Sequence, residues 1–163
     1  MSQSLVTKLE VSMNYCEAIR EKIGNDPLII VRPSVAILNH NGEILLSRYI
    51  GGIWSIPGDI LQLDQSVEEC LKRNVLNDIG LKIKKLTLFG VYSGTELINR
   101  VQESGDEYHT VAIGYLCNEY EGEITPDSNQ GIEAHFFSID NLPKEINPFI
   151  KNKLVELKCQ LEK

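Results

Sequence analysis

One segment constrains this chain more than any other: residues 53–81, IWSIPGDILQLDQSVEECLKRNVLNDIGL. A tight Pro57-Gly58 turn leads into a polar loop, and the spacing predicts a helix over 66–79. Ser66 and Glu69 stand at the S-x-x-E spacing of a capping box, in which each side chain satisfies the other residue's backbone N–H. Gly80 stands where a left-handed C-terminal cap belongs. Ends fixed this firmly also fix which side chains share a face. Positions three and four apart are neighbours on a helix, so Asn74, Asn77 and Asp78 project together.

The rest of the chain supplies layers for that helix to pack on. Leu5, Leu9, Met13, Cys16, Ile19 and Ile23 recur at spacings of three and four, which predicts an amphipathic helix over 5–23. Gly24 and Asn25 stop it. Ser34–Asn39 and Glu43–Tyr49 read as strands, and Asn41-Gly42 between them predicts a tight hairpin with both turn residues at positive φ. Residues 81–93 and 109–119 are rich in β-formers. The polar stretch 94–108 reads as a loop or a hairpin extension. A further strand is expected over 132–139 and a last helix over 148–161. This order fits neither a regular βαβ alternation nor an all-β barrel. It predicts an α+β fold, a mixed β-sheet flanked by helices.

Composition narrows the function classes. At 163 residues the chain is expected to form one domain, 1–163, with a core that needs no disulfides. The cysteines at 16, 70, 117 and 159 form no CxxC pair and read as reduced cytosolic thiols. His40, His109 and His135 fall at no metal-motif spacing, and no Ser-His-Asp or Cys-His pattern stands out. Sixteen basic against 23 acidic residues give a net charge of −7, which argues against a bulk electrostatic grip on nucleic acid. It leaves room for one small phosphorylated ligand in a local site. No stretch approaches the ~20 apolar residues of a membrane span. The start, MSQSLVTKLE, lacks a basic region followed by an apolar run, so a cytoplasmic protein without a signal peptide is expected.

The order W-x-I-P-G, loop, capped helix and glycine resembles the Nudix hydrolase family. Its signature is G, five residues, E, seven residues, then R-E-U-x-E-E-x-G-U, with U a bulky aliphatic. The strand pair VAILNHNGEILLSRY and the stretch PLIIVRPSVAIL are also similar to bacterial MutT-like members with a short N-terminal helix. The resemblance spans about residues 28–142. It implies an α/β/α sandwich with an extra N-terminal helix. It also implies a pyrophosphohydrolase that cleaves nucleoside-diphosphate-linked substrates with Mg²⁺ or Mn²⁺, held by the glutamates of the helix.

On that signature Arg73, Val75, Gly80 and Leu81 match. The first Gly is Asp59, the first Glu is Gln65, the next is Asn74, and the final pair is Asn77 and Asp78. Three carboxylates are thus replaced by amides, which ligate without charge and are poor bases. The resemblance implies Asp78, Asn74 and Asn77 at the metal position. It places Asp78, Arg73 and Glu133 as candidate catalytic residues, with Asp64, Glu68 and Asp59 nearby and Glu69 occupied as the capping acid. Arg48, Trp54 and Arg73 are candidate substrate contacts. Each has a plainer reading. Arg73 would pair with Asp78 or a loop acid, Arg48 would sit in a surface ion pair, Trp54 in the core, and Glu133 at an exposed strand edge. Glu119, Glu121 and Glu123 read as a solvated turn around Gly122.

Two functions therefore remain open. One is a hydrolase of weakened or lost turnover, using Mg²⁺ or Mn²⁺ if active. The other is a non-catalytic nucleotide- or phosphate-binding module, in which Arg73 with Arg48 or Arg32 holds phosphate without metal. A homodimer, with the N-terminal helix across a two-fold axis, is compatible with either.

Overall fold

The computed structural model describes residues 14–163. In chain order the elements are α1 (Tyr15–Ile23), β1 (Leu28–Ile37), β2 (Ile44–Tyr49), α2 (Val67–Ile79), β3 (Lys82–Tyr92), β4 (Ile98–Arg100), β5 (Glu107–Glu121), β6 (Ile132–Phe137) and α3 (Pro148–Leu161). The first part of the helix expected over 5–23 lies outside the described residues. Within 94–108, a 3-10 turn at Thr95–Leu97 precedes the short strand β4, which pairs antiparallel with the start of β5 as a hairpin extension, one of the two forms expected there.

A four-stranded mixed sheet has β5 at its centre. β1 pairs with it in parallel, and β3 and β4 pair with it antiparallel. β2 and β6 form a separate antiparallel pair. The Asn41-Gly42 hairpin is therefore only partly realised. A turn does form, with Asn39 Oδ1 accepting from the N–H of Asn41 and of Glu43. Of the two turn residues only Gly42 takes positive φ, at 74°. Beyond the Leu38–Ile44 bridge the two strands part, each to a different sheet. The physical reason lies in burial. Val35–Ile37 of β1 and Ile44–Leu46 of β2 are buried on both faces, so each strand feeds two core layers, β1 beside β5 and β2 beside β6, instead of pairing further with the other.

The period-two alternation of strands divides the core. Val35, Ile37 and Leu45 pack with Leu71, Val75 and Ile79 of α2. Ala36, Leu38, Ile44 and Leu46 face the other way, with Leu154 and Leu157 of α3 and Trp54. This is the expected sandwich of helices about a mixed sheet.

What positions α2 is the segment before it. The chain from Pro57 to Leu61 lies along the open edge of β1. Val35 N–H donates to Pro57 O at 2.9 Å, Asp59 N–H to Pro33 O at 3.2 Å, and Leu61 N–H to Val31 O at 2.8 Å. Pro33 has no N–H to offer, which such an edge tolerates. A Cβ at position 58 would stand 2.5 Å from Pro33 O and 2.7 Å from Ser34 Oγ, so only glycine fits this approach. Both halves of the capping box then form, with Glu69 N–H to Ser66 Oγ at 3.1 Å and Ser66 N–H to Glu69 Oε2 at 2.8 Å. Gly80 closes the helix in the left-handed region, at φ 87°.

Candidate functional site

The polar face of α2 opens onto a cleft of about 440 Å³. The end of β2, the turn after it and the Pro57–Asp59 segment form its other walls. Arg32, Arg48, Asp59, Arg73, Asn74, Asn77 and Asp78 line it, with Tyr49, Ile53 and Gln130 among the rim residues. The three arginines thus converge on one concavity in a chain whose net charge is −7.

The helix face is held from both sides. Asn74 Nδ2 donates to Asp78 Oδ2 at 3.0 Å, as residues four apart on a helix can. The segment after β5 closes over the helix end, with Thr125 N–H donating to Ile79 O at 2.6 Å and Asp127 N–H to Asp78 O at 2.9 Å. Burial pushes the Asp78 carboxyl above the ordinary carboxylate range. The charges of Asp59 and Asp127 push the same way, against the Asn74 hydrogen bond. Asp127 is a neighbour the sequence reading missed, since nothing local indicates that the 121–131 segment caps α2.

Arg73 is exposed and makes no ion pair or side-chain hydrogen bond among the described residues. The expected pair with Asp78 does not form. Residues five apart lie about 140° apart around a helix, whereas Asn74, at four apart, lies over Asp78. Arg32 makes one long hydrogen bond, Nη2 to Gly58 O at 3.4 Å.

Arg48 is engaged more fully. It stands directly across from Glu133 in the β2–β6 register, and its Nε donates to Glu133 Oε2 at 2.6 Å. Its guanidinium carbon lies 4.5 Å from the centre of the Trp54 ring. Trp54 itself is 5% exposed and packs on Phe137 and His135, so it belongs to the core and does not line the cleft. Arg48 is thus both in an ion pair and in the wall of the cleft, and Trp54 is in the core.

Of the nearby acids, Glu69 is the capping residue and Glu68 is exposed on the first turn. Asp64 takes positive φ, at 59°, in the loop before the helix. Gln65 is used locally, its Oε1 accepting from Gln62 N–H at 2.9 Å. Among the described residues no three His, Cys, Asp or Glu side chains gather at metal-holding geometry. No helix among them is long and apolar enough to cross a membrane.

The family model of the NUDIX domain matches residues 30–157. The chain is 27% identical over 115 residues to an NAD-capped RNA hydrolase NudC of Pseudomonas aeruginosa, covering 68% of this chain and 37% of that protein. It is 28% identical over 123 residues to an ADP-ribose pyrophosphatase of Methanocaldococcus jannaschii, covering 71% of this chain and 68% of that protein. It spans little more than a third of the NudC relative's length. The crystal structure of a MutT NUDIX hydrolase from Burkholderia pseudomallei superposes with a TM-score of 0.65 at 22% identity, over 80% of this chain and 98% of that one.

Proposed function

The chain belongs to the NUDIX family, and from that premise we propose that its cleft takes a nucleoside-diphosphate-linked small molecule by direct arginine contacts, with weak or absent hydrolysis. NAD-capped RNA and ADP-ribose, the substrates in the relatives' names, share an adenosine diphosphate joined to a further group. That shared chemistry defines the ligand class.

One observation carries the reading: the makeup of the α2 face. Mg²⁺ demands hard, mostly anionic oxygens in near-octahedral geometry. Here the face supplies two amides and one carboxylate, and one oxygen of that carboxylate already accepts from Asn74. These donors do not fit the divalent ion of the family's chemistry. The same substitutions remove negative charges that would repel phosphate, each worth about 1–4 kcal/mol at ~4 Å before screening. Arg73, with no competing partner among the described residues, supplies the planar fork suited to phosphate oxygens, and Arg32 adds a second positive charge.

A residual hydrolase is the second reading. It is favoured by the acids around Asp78, since Asp59 and Asp127 both act on its carboxyl.

Calorimetric titration of ADP-ribose, with EDTA and with Mg²⁺, tests the proposal. Binding of similar strength in both is expected. Binding seen only with Mg²⁺ overturns it. So do ordinary rates of turnover on ADP-ribose, dinucleoside polyphosphates, nucleoside triphosphates or sugar nucleotides with Mg²⁺ or Mn²⁺.

A further inference from the structure

The cleft has two chemically different parts. Its floor is polar and carries the arginines, the amides and the carboxylates of Asp59 and Asp78. Its rim carries exposed apolar side chains that packing does not explain. Tyr49 is 63% exposed, Ile50 71% and Ile53 57%. Exposed apolar residues are ordinary when scattered, but Tyr49 and Ile53 both line the cleft, four positions apart, with Ile50 exposed between them.

The backbone holds this rim in place. Gly52 N–H donates to Tyr49 O at 2.7 Å, closing a four-residue turn. Gly51, its third residue, takes φ 83°, which a type II turn requires and glycine adopts without strain. Ile50 N–H donates to Gly131 O at 2.7 Å, tying the turn to the start of β6. Arg48 Nη1 donates to Gly52 O at 3.3 Å. The Arg48–Glu133 pair therefore anchors the rim as well as bordering the floor.

We propose that Tyr49, supported by Ile53, is the shelf on which the nucleobase of the ligand stacks. This rests on the reading of the cleft as a nucleoside-diphosphate site and adds the residue that would discriminate the base. Trp54 cannot serve, because Arg48, His135 and Phe137 cover it. Tyr49 and Ile53 line the same cleft as Arg32, Arg48 and Arg73, with Asp59 and Asp78 also in its walls. A volume near 440 Å³ suits one nucleotide. An aromatic platform accepts any base and gains most from the larger ring of a purine.

The test is titration calorimetry in EDTA with two probes, ADP and inorganic pyrophosphate, on the wild type, Tyr49→Ala and Tyr49→Phe. The wild type is expected to bind ADP tighter than pyrophosphate. Tyr49→Ala should weaken ADP about tenfold and leave pyrophosphate unmoved, and Tyr49→Phe should restore ADP. An equal loss for both probes, or no loss for either, overturns the shelf while leaving phosphate binding standing. A wild type that binds pyrophosphate as well as ADP does the same. Binding of neither probe overturns the reading of the cleft, and the shelf with it.

Discussion

The two faces of α2 obey different rules, although they share one backbone and one pair of caps. On the inner face Cys70, Leu71, Val75 and Ile79 are buried, and any change in their volume disturbs a packed layer. On the cleft face Arg73 and Asn77 are exposed, and Asn74 and Asp78 are half-buried. The inner face has kept what a helix needs in order to pack on a sheet. The cleft face carries the amides of Asn74 and Asn77 beside the single carboxylate of Asp78. Structure and chemistry are thus separable along a single helix, because side chains only a residue or two apart in sequence point to different surroundings.

Substitutions on the two faces should separate stability from binding. The largest effect is expected for Leu71→Ala, which empties a fully buried site in the layer between α2 and β1. Denaturant unfolding should show a loss of about 2–5 kcal/mol. Asn77→Ala, on the exposed face, should stay within about 0.5 kcal/mol of the parent. Comparable losses for the two would erase the distinction between the faces.

Next in size is the combined change Gln65→Glu, Asn74→Glu and Asn77→Glu. It restores three carboxylates at the positions the signature assigns to them. Titration with Mn²⁺ should show clearly tighter binding than the parent, and ADP-ribose binding in EDTA should weaken as repulsion returns. A triple variant that holds Mn²⁺ no better than the parent would show that the signature has been laid on the wrong register. A smaller effect is expected for Arg73→Ala, about tenfold weaker ADP-ribose binding in EDTA with an unchanged thermal melt. Hydrogen bonds to charged groups are worth about 1.5–3 kcal/mol, which sets that scale. A drop in melting temperature with unchanged binding would move Arg73 from the ligand to the fold.

Features set by neighbours along the chain were legible in the sequence. The Ser66–Glu69 box, the Gly80 cap and the face shared by Asn74, Asn77 and Asp78 follow from spacing, and the structure repeats them. Features set by distant pairings were not. That β1 pairs in parallel with β5, and β2 with β6, depends on which apolar faces meet across many residues. The Arg48–Glu133 pair joins residues 85 apart, so sequence spacing left both their ion pair and a ligand role open. The role of Tyr49 was invisible for a subtler reason. The strand end there was legible, but the exposure of Tyr49 at the cleft depends on the turn at Gly52 and on its tie to Gly131. Asp127 was missed because its approach depends on how the segment after β5 closes over the end of α2.

The smallest expected effect concerns Asp78, where the two faces meet. Its carboxyl is raised chiefly by burial, then by Asp59, with Asp127 adding to the push. A carboxyl that titrates higher folded than unfolded binds more protons in the native state. The contribution of Asp78 to unfolding stability must therefore fall as pH rises from below the ordinary aspartate value, about 3.9, through the raised folded value, and the cost persists at neutral pH. Asp78→Asn removes the titration and keeps an oxygen that can accept from Asn74. The variant and the parent should unfold alike near pH 3 to 4, and the variant should be the more stable at pH 7. Adding Asp59→Asn to the parent should narrow the gap, because it removes the second of the pushes. Thermal melts across pH 3 to 8 read this directly. Parallel curves for Asp78→Asn and the parent would mean that the carboxyl is not strained by its surroundings. The cleft face would then be as tolerant of a negative charge as an open helix surface, and the contrast between the two sides of α2 would reduce to packing alone.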